Sequence, residues 1–120
     1  MASIMAVDDT ASMRQMISFT LNSAGHNVME ASDGDEALKI AQENKFDLII
    51  TDINMPNMDG ITLVEKLREL ANYKFTPILM LTTESQQSKR AQGKKAGATG
   101  WIVKPFNPDQ LLSVIENVLG

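Results

Sequence analysis

The chain has 120 residues, of which 43% are hydrophobic and 22% are charged, and its formal net charge is −4. This length is typical of one domain, and the hydrophobic content is too high for a disordered chain. The sequence contains no cysteine and a single histidine, His26, which excludes disulfide scaffolds and disfavours zinc sites and serine–histidine triads. The net negative charge argues against nucleic acid as the main partner.

No stretch of the sequence has the length and composition of a membrane segment. The strongest apolar runs, at residues 48–50 and 78–81, are far shorter than the roughly 20 residues that span a bilayer. The apolar start of the chain meets Asp8 and Asp9 at once, which is not typical of a signal peptide. We therefore expect a cytoplasmic protein that does not bind membranes.

Short apolar or β-branched runs alternate with longer helical patterns along the whole chain. The runs predict five strands, at residues 3–8, 27–31, 47–52, 76–82 and 99–104. Most of these runs are apolar on both faces, which is typical of a parallel sheet that helices cover on both sides.

The segments between the runs carry apolar residues at helical spacing and predict five helices, at residues 11–24, 33–44, 59–71, 85–97 and 107–119. In the last of these, Asn107 is expected as the N-cap and Pro108 as the first helical residue. In the third, Ala71 is expected on the buried face. The fourth has little apolar content, and Gly93 lies in its middle, where a glycine costs about 1 kcal/mol relative to alanine. We expect this fourth helix to be the least firmly anchored of the five.

Five strand–helix pairs with short loops predict a single domain over residues 1–120, an α/β fold built as a three-layer α/β/α sandwich. For the strand order we adopt 2-1-3-4-5, the order of known flavodoxin-like folds, because the sequence pattern alone does not determine it. In that order, ligands bind beyond the carboxyl ends of the strands, between the first and third strands.

Charged and hydroxyl side chains follow the predicted strands at this edge. Asp8 and Asp9 follow the first strand, Asp52 ends the third, and Thr82 and Lys104 end the fourth and fifth. Three nearby carboxylates repel one another, and all-oxygen ligands favour Mg²⁺ as the compensating cation, with Mn²⁺ as a substitute. A carboxylate beside such an ion can attack phosphorus and form an acyl phosphate.

These residues lie in four motifs that resemble those of the receiver domains of bacterial two-component response regulators, above all the single-domain chemotaxis (CheY-like) type. The motifs are AVDDT, with Asp8 and Asp9; TDINMPNMDG, with Asp52; LTT, with Thr82; and VKPF, with Lys104. They occur in the family's order and spacing, and the likeness covers the whole chain.

The resemblance implies a role for each acidic residue. Asp52 would be the phosphoacceptor. Asp8, Asp9 and Asp52, together with the backbone carbonyl of Asn54, would hold Mg²⁺. Asn54 and Glu84 match positions that tune dephosphorylation in the family.

The resemblance also implies roles for the residues at the ends of the last two strands. Thr82 and Lys104 would bind oxygens of the phosphoryl group, and the peptide bond between Lys104 and Pro105 would be cis. Trp101 aligns with an aromatic switch, usually tyrosine or phenylalanine, whose ring turns inward when the hydroxyl at the Thr82 position is drawn to the phosphate. A ring fixed in the packing is the alternative.

We therefore expect a phosphorylation-activated signalling switch rather than an enzyme. A CheA-like histidine kinase would donate the phosphoryl group. The protein is expected to be a monomer, and its output would be binding to a flagellar motor switch component or another signalling protein. The sequence has no G-x-x-x-x-G-K-[ST] loop, so ATP binding by that route is not expected.

A basic segment indicates where a partner would dock. Residues 85–108 contain five basic residues and no acidic residue. Four of them and an aromatic side chain form the expected partner face: Lys89, Arg90, Lys94, Lys95 and Trp101. The family uses helix 4, strand 5 and helix 5 for output, and a basic surface there fits acidic partners. A solvated helix surface without a partner is the alternative.

Three other functions share part of this pattern. A flavodoxin-like FMN protein would share the fold, but Asp8 and Asp9 would repel its phosphate. A Mg²⁺-dependent phosphohydrolase would share the chemistry but needs room for a substrate pocket. A receiver-like interaction module that signals without phosphorylation remains open, because intact motifs do not exclude it.

Overall fold

The computed structural model describes residues 2–83 and 87–120. Its five strands are β1 (Ser3–Val7), β2 (Asn27–Ala31), β3 (Leu48–Asp52), β4 (Ile78–Thr82) and β5 (Gly100–Val103). Its helices are α1 (Ala11–Ser23), α2 (Gly34–Glu43), α3 (Gly60–Glu69), α4 (Ser88–Ala96) and α5 (Pro108–Leu119). The predicted start of the fourth helix at Ser85, and Glu84 before it, lie outside the described residues.

All strand pairs are parallel, and the sheet order is β2-β1-β3-β4-β5, which confirms the predicted fold class. Successive residues of a strand point to opposite faces, so each strand feeds two cores. On one face Met5 and Val7 of β1 pack with α2 and α3. On the other face Ile4 and Ala6 pack with α1 and α5.

The expectation that strands are apolar and covered on both faces holds for the middle of the sheet and fails in the two edge strands; in β5 only Ile102 is buried. Every residue of β3 and β4 is buried. In β2, by contrast, three of five residues are exposed, because this strand lies at the edge of the sheet. The apolar pattern therefore distinguishes central strands from edge strands.

Two helices, α2 and α3, begin one residue later than predicted because their first predicted residue is a cap, whereas α5 begins at Pro108 after the cap Asn107, as predicted. Asp33, Asp59 and Asn107 each accept a hydrogen bond from the backbone N–H three residues on, at 2.8 Å. Such caps satisfy donors that the first helical turn cannot pair internally. Each cap ties a loop at the carboxyl edge of the sheet to the start of a helix.

The end of α3 differs from the prediction. The helix stops at Glu69, and a 3₁₀ turn over Ala71–Tyr73 follows. Ala71 is exposed, so its predicted place on the buried face is wrong. Tyr73 is the residue that turns into the core, where its hydroxyl lies 2.8 Å from the Ala41 carbonyl oxygen. Through this buried ring and its hydrogen bond, Tyr73 anchors the 3₁₀ turn to the core.

Helix α4 is short and is tied down at its carboxyl end by an arginine of α3. The Arg68 guanidinium donates to the carbonyl of Gly97 at 2.8 Å, and to those of Tyr73 and Thr76 at 2.6 Å. A cation at the C-terminus of a helix also interacts favourably with the partial negative charge of the helix dipole there. Gly93 is the only buried residue among those of α4. Weak anchoring of this helix stays a prediction.

In the part of the chain that the structure describes, no helix is both long and apolar enough to cross a membrane.

The loop from β3 to α3 closes on Gly60, and an alanine there should be costly. The Gly60 N–H donates to the Ile53 carbonyl at 2.7 Å, and an added Cβ would lie 2.0 Å from the backbone oxygen of Asp52. We expect Gly60→Ala to lower the free energy of unfolding by about 3 kcal/mol. Denaturant unfolding followed by circular dichroism measures this loss.

Gly25→Ala provides the control, because Gly25 has a φ of +93° but an added Cβ meets no atom within 4 Å. It should cost about 1 kcal/mol, from backbone strain alone. Equal losses in the two variants would contradict the steric explanation.

Candidate functional site

Three carboxylates meet at the carboxyl edge of the sheet. Val7 of β1 pairs with Thr51 of β3, so the residues that follow them lie side by side. Ligand oxygens of Asp8, Asp9 and Asp52 all lie within 4.8 Å of one another. Asp8 is fully buried and Asp52 is nearly so, whereas Asp9 is exposed. The topology thus brings together the three acids that the sequence analysis selected.

Lys104 is the cation that faces these carboxylates. Its Nζ lies 3.4 Å from Asp8 Oδ2 and 3.3 Å from Asp52 Oδ1. Its backbone N–H donates to the Thr82 carbonyl at 2.6 Å, which ties it to the end of β4. The peptide bond to Pro105 is cis, as the resemblance implied. One ammonium group cannot neutralise three carboxylates, so the site keeps a negative charge.

Asp8 is buried, and each of its polar atoms has a protein partner. Its N–H donates to the Ala31 carbonyl, and its Oδ1 accepts from the Thr10 N–H at 2.8 Å. Its Oδ2 pairs with Lys104, and its carbonyl accepts a 2.6 Å hydrogen bond from Arg14 Nη1. A buried charge persists only when it is paired in this way.

Asp52 ends β3 and places its carboxyl at the same edge of the sheet. Its Oδ1 accepts from the Ile53 N–H at 2.9 Å and lies near Lys104. Burial raises the pKa of the Asp52 carboxyl, and the charge of Asp8 raises that pKa further, while Lys104 lowers it. The Ile53 N–H and the Lys104 ammonium both contact Oδ1 of Asp52. Oδ2 of this partly desolvated carboxylate is therefore the oxygen that could act as a nucleophile.

Thr82 and Asn54 lie beside Asp52 in different ways. Leu81 of β4 pairs with Asp52, so buried Thr82 lies one residue further toward the edge. Its hydroxyl donates to the Thr83 carbonyl at 3.2 Å. Asn54 lies two residues after β3 and is exposed. Glu84, the other residue assigned a tuning role, lies outside the described residues.

Trp101 packs against α4 at a position where only glycine fits. Trp101 pairs in register with Met80 and is partly buried. A Cβ added to Gly93 would lie 2.5 Å from Cη2 of the indole and 3.0 Å from the sulfur of Met80. The glycine in the middle of α4, which the sequence analysis interpreted as a weakness, makes room for the ring. Whether the ring moves stays a prediction.

The four basic residues of α4 divide between two sides of the helix. Lys89 and Lys95 line a groove of about 490 Å³ shared with α3, together with acidic residues of that region such as Glu65. At 100° per residue, Arg90 and Lys94 lie on the side away from α3. They therefore form a basic pair on the flank of α4 opposite the α3 groove.

Two contributors to the site, Arg14 and Gly60, were not predicted from the sequence. Arg14 was not selected, although it lies one helical turn after Thr10 and so on the side of α1 that faces the acidic pair. Gly60, in the family motif, was not assigned a role, although its close approach to the Asp52 backbone sets the loop. Helical spacing would have indicated Arg14, whereas the contact of Gly60 needs the folded loop.

The raised pKa of Asp52 gives a prediction for the metal-free protein. The pKa of this carboxyl is higher in the folded protein than its ordinary value of 3.8, so its ionisation destabilises the fold as pH rises through the folded pKa. We expect Asp52→Asn to raise the Tm at neutral pH, and the gain to shrink as the pH falls through the folded pKa toward 3.8, below which the native carboxyl is protonated in both the folded and the unfolded state. Thermal unfolding with EDTA at several pH values measures this dependence.

Glu65→Gln is the matched control, since it removes one carboxylate from an exposed position of α3. A gain for Asp52→Asn that is absent at neutral pH, or that is the same at every pH, would contradict the predicted effect of burial.

Comparisons with known proteins agree with this geometry. Residues 4–116 match the model of the response regulator receiver domain. A chemotaxis protein CheY homolog of Campylobacter jejuni is 42% identical over 119 residues, which cover 98% of this chain and 92% of that protein.

Solved structures show the same architecture. The chemotaxis response regulator CheY4 of Vibrio cholerae is 55% identical, with 98% of each chain covered and a TM-score of 0.94. The receiver domain of a Pseudomonas aeruginosa sensor histidine kinase, solved with a magnesium ion coordinated in its active site cleft, is 28% identical. It covers 99% of this chain and 98% of its own, with a TM-score of 0.91. From its sequence match, its sheet order and its acidic edge, the chain belongs to the response regulator receiver domain family.

Proposed function

We propose that residues 1–120 form one receiver domain that works as a cytoplasmic signalling switch, phosphorylated on Asp52. The observation that carries the proposal is the desolvated Asp52 carboxylate, which lies between two further carboxylates and the ammonium of Lys104. CheY-like receiver domains are signalling switches rather than ordinary enzymes. The chemotaxis relatives support a CheA-like histidine kinase as the donor and a flagellar motor switch component, or another signalling protein, as the output.

The donor set at the sheet edge fits Mg²⁺, the ion that the family binds in its acidic site. Carboxylate oxygens are the hard ligands that this ion prefers, and Mn²⁺ can replace it. We assign Asp8, Asp9, Asp52 and the backbone carbonyl of Asn54 as the groups that would hold it. When bound, the ion supplies positive charge that offsets the carboxylates and the phosphoryl oxygens.

The proposed transfer needs a nucleophile and groups that hold the phosphoryl oxygens. An Asp52 oxygen would form a bond to phosphorus while the P–N bond of the kinase phosphohistidine breaks, and the leaving imidazole would take a proton from water. Lys104, 3.3 Å from Asp52 Oδ1, would pair with one phosphoryl oxygen. The hydroxyl of Thr82 would donate a hydrogen bond to a second phosphoryl oxygen. It would then give up its present hydrogen bond to the Thr83 carbonyl.

The output would follow from this change at Thr82. Trp101 lies one strand away on β5 and packs against α4 through Gly93. We propose that a rearrangement at the end of β4 alters how this ring packs and so alters the surface of α4, β5 and α5. The partner would bind the basic part of that surface.

The central experiment is intact mass after incubation with Mg²⁺ and acetyl phosphate. We expect one added phosphoryl group on the native chain and none on Asp52→Asn, because Asp52 is the proposed nucleophile. Asp109→Asn, an exposed aspartate in the first turn of α5, should be modified like the native chain. If the native chain gains no adduct, the interaction module that needs no phosphorylation is favoured. Sustained turnover of acetyl phosphate or another phosphoester would instead favour a phosphohydrolase.

A pair of charge reversals tests the partner face. We expect Arg90→Glu with Lys94→Glu to weaken binding of the cognate kinase or output protein about tenfold, since these side chains carry the positive charge on the flank of α4 that does not face α3. Isothermal titration calorimetry measures the dissociation constants.

Lys89→Glu with Lys95→Glu is the control, with the same change in charge on the side that lines the α3 groove. This variant should lose less affinity. Unchanged affinity in both variants would mean that the basic residues of α4 are only a solvated surface.

A further inference from the structure

Arg14 joins the acidic end of β1 to the neighbouring edge strand. Its Nη1 donates to the Asp8 carbonyl at 2.6 Å, and its Nε lies 3.4 Å from Oε1 of Glu30 on β2. The Arg14 side chain is about 19% exposed. Because an arginine has a rigid, planar fork of donors, two contacts on different elements fix the plane of the guanidinium.

Glu30 is itself held in place. Its Oε2 accepts a 2.9 Å hydrogen bond from the hydroxyl of Ser18, one helical turn beyond Arg14 on α1. Glu30 lies opposite Ala6 in the pairing of β2 with β1. The arginine is therefore clamped between a strand end and a carboxylate that α1 and β2 both position.

The carbonyl that Arg14 binds belongs to the peptide between Asp8 and Asp9. On the other side of Asp9, the Thr10 N–H donates to Asp8 Oδ1 at 2.8 Å. The peptides before and after Asp9 are thus both fixed by hydrogen bonds. The direction of its exposed side chain follows from that backbone, because rotation of either peptide would turn the carboxylate away from its neighbours.

We propose that Arg14 is a positioning residue for the magnesium site: it holds the Asp8 carbonyl and thereby directs the Asp9 carboxylate toward the cation. This inference rests on the proposed function. Groups behind the ligands of a metal commonly set their orientation in this way.

The charge of Arg14 makes the proposal distinguishable from simple electrostatics. A guanidinium beside the site repels a divalent cation, although Glu30 offsets most of that charge. Removing the arginine should therefore tighten cation binding if only charge matters. Removing it should weaken binding if Arg14 orients Asp9. The two explanations predict opposite signs.

The test measures free Mn²⁺ by electron paramagnetic resonance during titration of the full chain. We expect Arg14→Met to raise the dissociation constant about tenfold, since it keeps the length of the side chain but loses the donors. Arg14→Lys keeps one donor and should recover part of the affinity. Lys45→Met, an exposed change at the opposite edge of the sheet, removes the same charge and should bind like the native chain.

Circular dichroism shows that each variant is folded during the titration, and Arg14→Gln gives a second neutral replacement if the methionine variant does not fold. Mn²⁺ affinity of Arg14→Met or Arg14→Gln equal to or above that of Lys45→Met would overturn the proposal. If the native chain fails to bind Mn²⁺, both this proposal and the magnesium part of the proposed function fall. If the native chain binds the ion and is phosphorylated while the arginine variants match it, only the role of Arg14 fails.

Discussion

Repulsion among three carboxylates at one edge of the sheet is the constraint to which the rest of the structure responds. Asp8, Asp9 and Asp52 meet because two neighbouring parallel strands end together. Water would screen them, but two are buried, so their charges persist only with partners. The chain supplies Lys104 from β5 and backbone donors from the adjoining loops. The metal-free fold therefore holds an excess of negative charge at this edge of the sheet.

Burial of the Asp52 carboxyl lowers the stability of the fold when this group is ionised. The carboxyl with the raised pKa is the proposed phosphoacceptor, whereas Asp8 has a protein partner for each of its polar atoms. Two aspartates of similar burial thus differ in their hydrogen bonds. Any cation that binds the native state preferentially would also stabilise it, through mass action.

Much of this could be predicted from the sequence. Periodicity located all five strand–helix units, and the ends of the strands placed the acidic pair, Asp52 and Lys104 at one edge. Two helices start one residue later than predicted, because residue spacing alone does not distinguish an N-cap such as Asp59 from the first helical residue. The edge strand β2 and the exposed Ala71 departed from the pattern, since burial there depends on neighbours distant in sequence. Contacts such as that of Arg14 with a carbonyl leave no periodic signal.

The fit of Trp101 against Gly93 couples two positions through volume. An indole fills space that a methyl group on α4 would otherwise occupy, so neither site can be enlarged alone. A smaller ring at 101 would leave a void beside Met80, and any side chain at 93 would need such a void. The sizes of the residues at positions 93 and 101 are therefore coupled. The aromatic residue at position 101 sets the spacing between α4 and the sheet. Relatives with a bulkier residue in this helix would need a slimmer ring on the strand.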